Sequence, residues 1–182
     1  ASICELAGAE GIVCHLREDR RHINDRDVRL LREVVKTKLD LEMAATDEMV
    51  KIACDILPDL VTIVPENRKE LTTEGGLNIL SIQSKLTEMI DTLKEKEIMV
   101  SLFIDPNPEL LDLALEVGAD IIEIHTGKYA NSVDERSQIS ELSKIASVSR
   151  LASERGLIVT AGHGLNYYNI QPFLNIPEIR EI

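Results

Sequence analysis

The chain has 182 residues, 44% of them hydrophobic, and a formal net charge of −12 from 20 Lys and Arg set against 32 Asp and Glu. That length supports one domain with a sizeable core, while the acidic balance excludes nucleic acid or an anionic membrane surface as the main partner. It does not exclude an anionic small molecule held by a few local arginines, because distant carboxylates are screened.

Three cysteines (Cys4, Cys14, Cys54) with no C-x-x-C spacing support neither a disulfide framework nor a thiolate zinc knuckle. No apolar run reaches the ~18–20 residues of a membrane span, and a reducing cytoplasm is the expected compartment.

"ASICELAG" (1–8) reads as the tail of a helix. β-rich runs then follow at GIVCH (11–15), LDLEM (39–43), LVTIVP (60–65), IMVSLFI (98–104), DIIEIH (120–125) and LIVTA (157–161). Between them lie helical patterns. "DVRLLREVV" places Val28, Leu31 and Val35 on one face, and "DEMVKIACDIL" does the same with Met49, Ile52, Ala53 and Ile56. "SIQSKLTEMIDTLKEK" and "SQISELSKIASVSRLASERG" are longer, the second stopping at Gly156 as a helix end does. "DPNPELLDLALEVGA" offers Asn107 as N-cap and Pro108 as first helical residue.

The alternation specifies a parallel α/β fold. Six strands fit an open doubly wound sheet or strands two to seven of a TIM (β/α)8 barrel. No G-x-G-x-x-G or G-x-x-x-x-G-K-[ST] loop follows a strand, and both ends are ragged, with "EIREI" (178–182) starting as another strand would. The expectation is one barrel domain over 1–182, with six of the eight β/α units present and the domain incomplete at both ends.

In such folds the chemistry sits at the carboxyl ends of the strands. There this chain places His15 and Arg17, then Glu42, "PENRKELTTEGG", Asp105, Glu123 with His125, and "TAGHG". All four histidines (His15, His22, His125, His163) fall at or just beyond such an end. Glu123 and His125 share a face, as do Asp40 and Glu42. Each has a plainer reading: Asp40 as a buried structural partner, Asp105 as a turn or cap residue, "REDRRHINDRD" (17–27) as a salt-bridged surface loop. Arg17 and His22, with Thr72 and Thr73, have the donor types of an anion pocket suited to phosphate. Gly162 and Gly164 let backbone approach a ligand beside His163.

"VCHLREDRRHINDRDVRLLR", "LDLEMA", "VPENRKELTTEGGLN", "VSLFIDP", "IEIHTGKYA" and "TAGHGLNYYN" together resemble the pyridoxine 5′-phosphate synthase (PdxJ) family of vitamin B6 biosynthesis, in order and along essentially the whole chain. The resemblance implies further strands at both ends of the barrel, an upstream one carrying N-x-D-H and a downstream one carrying a Gly-His phosphate site. It implies a cytoplasmic enzyme that condenses 1-deoxy-D-xylulose 5-phosphate with 3-amino-2-oxopropyl phosphate. The products are pyridoxine 5′-phosphate, inorganic phosphate and water, and no metal or organic cofactor is needed. It also implies a homo-octamer.

By motif, His15 resembles a general acid/base, Glu42 a second base, His163 the proton donor and Glu123 a transition-state stabiliser. Arg17, His22 and Thr72 resemble the pocket of the deoxyxylulose phosphate, Gly164 the phosphate side of the amino ketone, and the loop after residues 60–65 a lid. Two alternatives stand beside this: a metal-dependent barrel hydrolase using His15, Glu42, His125 and His163, and a non-catalytic phosphometabolite-binding remnant.

Overall fold

The computed structural model describes residues 1–66 and 75–182. Among these, α1 (Ser2–Leu6) leads into β1 (Gly11–His15), α2 (Asp25–Val34), β2 (Lys38–Met43), α3 (Asp47–Ile56) and β3 (Leu60–Ile63). Then come α4 (Ile79–Lys94), β4 (Met99–Ile104), α5 (Glu109–Glu116), β5 (Ile121–His125), α6 (Gly127–Ala130) and α7 (Glu135–Glu154). β6 (Ile158–Gly162), a 3-10 turn (Gln171–Asn175) and β7 (Ile179–Glu181) complete the order. All strands are parallel and each pairs with its sequence neighbours, in the order β1-β2-β3-β4-β5-β6-β7.

Helix starts follow their caps. Asn24 accepts from the Arg26 and Asp27 N–H groups while Asp27 accepts from Asn24 N–H, a reciprocal box that opens α2. Thr46, Asn78 and Asp134 cap α3, α4 and α7 in the simpler way. α5 begins one residue later than its sequence indicates: Pro108 is the capping residue, and Asn107 Oδ1 accepts from Glu109 N–H at 3.0 Å.

One expectation is corrected. The described residues hold seven strands rather than six, because Ile179–Glu181 pairs with β6 through a register shift at Val159/Thr160. The strand-like start noted at "EIREI" (178–182) is thus a paired strand, left out of the six because three residues carry little periodicity. The four-residue α6 is likewise too short to show a helical period.

Alternation sorts each strand's residues onto two faces. Leu39, Leu41, Met43, Val61, Ile63, Val100, Leu102, Ile104, Ile122, Ile124, Val159 and Ala161 are all buried in the core cluster with the helices. The other face carries Asp40, Glu42, Thr62, Ser101, Glu123 and Thr160. The sheet curls around that polar face: Lys38 of β2 makes an ion pair with Glu181 of β7, and Glu123 of β5 feels the charges of Asp40 and Glu42 on β2.

The amino ends of the strands share a fastening device. Asp59, just before β3, accepts from Leu39 N–H of β2 at 2.9 Å and from Arg32 at 2.7 Å. Asp120, just before β5, accepts from Val100 N–H of β4 at 3.0 Å and pairs with Lys94 at 2.8 Å. Asp120→Ala is expected to lower stability by about 1–3 kcal/mol, since it leaves a strand N–H without its charged acceptor. Lys94→Ala removes only a half-exposed ion pair and should cost about 0–1 kcal/mol. Chemical denaturation of both variants checks the contrast; equal losses would mean that the backbone fastening contributes nothing.

Candidate active site

Parallel pairing puts the strand ends on one rim, and His15 of β1 stands in register with Glu42 of β2. His15 Nδ1 lies 3.4 Å from Glu42 Oε2, and its Nε2 lies 2.8 Å from Glu66 Oε1. Glu66 follows β3, its side chain is only 3% exposed, and its other oxygen accepts from Glu18 N–H at 3.1 Å. The imidazole therefore has a carboxylate at each nitrogen. Burial raises the Glu42 carboxyl above its ordinary value, with His15 opposing. Burial pushes Glu66 the same way, but hydrogen bonds from His15 and Glu18 outweigh it and hold Glu66 below its ordinary value. Two carboxyl groups with separated proton affinities around one histidine form an acid–base arrangement.

Deeper on the inner face, Glu123 Oε1 lies against Gly162, where a Cβ would stand 2.1 Å away. Any side chain at residue 162 would displace it. Burial, with repulsion from Glu42 and Asp40, pushes the Glu123 carboxyl up to about 8. Asp40 is pushed to about 7, chiefly by burial. Its Oδ2 accepts from the Thr62 hydroxyl at 2.8 Å, and its Oδ1 has no hydrogen-bond partner among the described residues. At neutral pH Glu123 is mostly protonated and offers an O–H donor rather than a negative charge.

A second cluster forms between the ends of β4, β5 and β6. Asp105 Oδ1 lies 3.2 Å from His125 Nδ1, and His125 is buried, 7% exposed. The His125 and His163 rings sit 5.0 Å apart in a T-shaped contact, with Phe103 5.0 Å and 6.2 Å from them. His163 lies exposed on the rim with φ +83°, a conformation that costs a non-glycine residue energy. Partial burial of its ring, with a smaller contribution from His125, lowers its pKa. Gly164 follows at φ +76°, with no room for a side chain against Ala130.

Arg17 is buried, and its Nε has no hydrogen-bond partner among the described residues; its ion-pair contact, Asp19 Oδ1, is 3.6 Å away. A buried donor left open in this way suits an incoming anion. Arg20 is engaged by Asp25 and Glu48, and Arg21 by Asp19. His22 stands exposed on the same loop with φ +68°. Thr72 and Thr73, with most of the expected lid, lie outside the described residues. His15 and Glu42 belong to one cluster, His125 and His163 to the other. Among the described residues no group of three or more His, Cys, Asp or Glu is placed to hold a metal ion.

The family model for pyridoxal phosphate biosynthesis protein PdxJ matches residues 1–182. The chain belongs to the PdxJ family. It is 56% identical over 181 residues to the pyridoxine 5′-phosphate synthase of Syntrophotalea carbinolica, covering 100% of this chain and 76% of that relative. The corresponding proteins of Trichlorobacter lovleyi and Chlorobium phaeobacteroides are 57% and 54% identical, with the same coverage. Among solved structures, phosphoribosyl anthranilate isomerase from Thermus thermophilus superposes with TM-score 0.63 at 12% identity, covering 100% of this chain and 80% of that one. A monomeric form of the Thermotoga maritima enzyme gives 0.58 at 10%, over 97% and 76%. At those identities the structures share the fold alone.

Sequence reasoning missed Glu66, whose only signal was its place just beyond a strand end. It also left Asp105 between turn and function, whereas the structure pairs it with His125.

Glu123 gives a pH test. Its folded pKa, about 8, stands above the ordinary 4.5. The native state then binds an extra proton, and stability is full below the ordinary value and falls as pH rises between the two. Glu123→Gln is expected to flatten that decline, so that its melting temperature changes less than the parent's from pH 5 to pH 8.5. Parallel profiles would mean that Glu123 is already ionised at pH 5.

Proposed function

We propose that this chain is a pyridoxine 5′-phosphate synthase, condensing 1-deoxy-D-xylulose 5-phosphate with 3-amino-2-oxopropyl phosphate to form pyridoxine 5′-phosphate, inorganic phosphate and water. The observation that carries the reading is His15 held between Glu42 and Glu66, 3.4 Å and 2.8 Å from its two nitrogens. Ring closure by imine formation, enolisation, elimination and aromatisation is a series of proton transfers. An imidazole flanked by carboxyl groups of unequal proton affinity can take a proton on one side and release one on the other. Family membership supports the same chemistry.

In this reading His15 is the general acid/base, Glu42 the second base and His163 the proton donor. Neutral Glu123 donates a hydrogen bond to oxygen as negative charge develops on it. Arg17, with His22 and Thr72, takes the phosphate of the deoxyxylulose substrate, and the backbone at Gly164 takes that of the amino ketone. The curled sheet then belongs to a single (β/α)8 barrel domain, assembled as a homo-oligomer and working in the cytoplasm on small phosphorylated substrates.

The test is to supply both phosphorylated substrates and follow pyridoxine 5′-phosphate. Turnover unaffected by chelator is the expected result; binding of either substrate without product would leave a phosphometabolite-binding protein. Arg17→Ala should raise KM for the sugar phosphate roughly 10- to 100-fold, the worth of a charged hydrogen bond, with little change in kcat. Glu66→Gln should instead lower kcat, because the amide cannot take a proton from His15. A loss confined to KM in Glu66→Gln would remove it from the proton relay.

A further inference from the structure

Within the proposed synthase reading, His163 must present its ring from a backbone that is strained and a rim that is exposed. Nothing in residues 162–164 holds it there: Gly162 and Gly164 lack side chains, and φ is +83° at His163 itself. The restraint comes from the neighbouring strand. Thr126, fully buried at the end of β5, donates its N–H to the Gly162 carbonyl at 2.9 Å. Its hydroxyl lies 2.7 Å from that same carbonyl and 2.6 Å from the carbonyl of His163, sharing one proton between them.

The ring is fixed from the same side. Asp105 Oδ1 lies 3.2 Å from His125 Nδ1 and sets the orientation of that imidazole. The edge of His125 that carries Nε2 then abuts Gly127, where a Cβ would come within 2.4 Å of Nε2 and 3.2 Å of the His163 ring. Gly127 thus keeps open the contact through which the two histidine rings meet. Behind them, Tyr129 of α6 donates to the Asn169 carbonyl at 2.7 Å and ties down the loop beyond His163.

We propose that Thr126, His125 and Asp105 are positioning residues for His163: Thr126 clamps its backbone, and the Asp105–His125 pair sets its ring. The inference rests on the proposed synthase reading for its rate effects and on geometry alone for its structural ones. A hydroxyl clamp and an imidazole braced by a carboxylate suit a group that must hold its aim within fractions of an ångström, since a misplacement of about 1 Å can cost on the order of 100-fold in rate.

Two measurements on the full chain test it. Turnover is compared for Asp105→Asn, Thr126→Val and Thr126→Ser, each alone and combined with His163→Ala. Asp105→Asn and Thr126→Val should lower kcat roughly 10- to 100-fold with KM for both phosphates little changed, while Thr126→Ser keeps the clamp and the rate. In the His163→Ala background the same changes should cost nothing further, as expected for groups that act through one residue. Equal losses in both backgrounds, or losses confined to KM, would overturn the proposal. Ring 15N spectra of the substrate-free protein give an independent answer: His163 signals move in Asp105→Asn and Thr126→Val and stay in place in Thr126→Ser. If they move in none, the positioning role fails whatever the assay shows. If they move while the parent makes no pyridoxine 5′-phosphate, it is the assigned reaction that fails.

Discussion

Asp40, Glu42 and Glu123 face one another across the inner surface of the curled sheet, and their burial together is the constraint to which the rest of the structure answers. Three carboxylates cannot all be charged in a buried space without a cation among them. Burial, reinforced by neighbouring carboxylates, therefore raises Glu123 to about 8 and Asp40 to about 7, while His15, at the rim, opposes the rise at Glu42. The arrangement depends on curl: an open flat sheet would leave β2 and β5 far apart and their carboxyl groups in water. The same curvature that gives the helices an apolar outer face to cover thus creates an inner face whose protons are held well away from their ordinary affinities.

The two ends of the strands divide the work. At the amino ends, Asp59 and Asp120 fasten neighbouring strands by backbone hydrogen bonds and complete ion pairs with helix residues. These carboxylates are satisfied, and they lock register. At the carboxyl ends the polar groups are less completely paired: Arg17 Nε is buried without a hydrogen-bond partner among the described residues, and His163 and His22 take left-handed backbone. Unmet donors and strained residues cost stability, on the order of 1–3 kcal/mol each. A continuous outer layer, in which Leu39, Leu41, Met43, Leu102 and Ile124 are fully buried, offsets that cost.

Much of this was legible in the residues. Period-two alternation with branched apolar side chains located six strands to within two residues at either end, and the helix starts followed capping chemistry. The rule that polar residues at strand ends form the site pointed to a wider set that includes His15, Glu42, Glu123, His125 and His163; the family resemblance narrowed it, and the structure puts these residues at or just below one rim. The rest depends on distance in sequence. Glu66 reaches His15 across 51 residues, and Asp105 reaches His125 across 20. No local pattern encodes such pairs, because they exist only once the strands of the sheet are in register. α6 escaped for a different reason, four residues being fewer than a period needs to declare itself, while β7 showed only as the strand-like start of "EIREI".

Register also explains why single glycines matter where larger residues would seem harmless. Glu123 and Thr160 are partners across β5 and β6, as are His125 and Gly162, so Glu123 lies diagonally beside residue 162 on the inner face. A side chain there would collide with Glu123 at 2.1 Å, and one at residue 127 would collide with His125 at 2.4 Å. Gly162 is a space reserved for a side chain on the neighbouring strand and Gly127 one for the histidine two residues before it, whereas Gly164, at φ +76°, is demanded by its own backbone. The volume missing at Gly162 lets a protonated carboxyl sit against the sheet, and the volume missing at Gly127 lets two imidazoles meet. β5 therefore shapes the inner face through Glu123, which parallel register sets beside the gap at Gly162, and the rim through His125, whose ring fits beside the gap at Gly127.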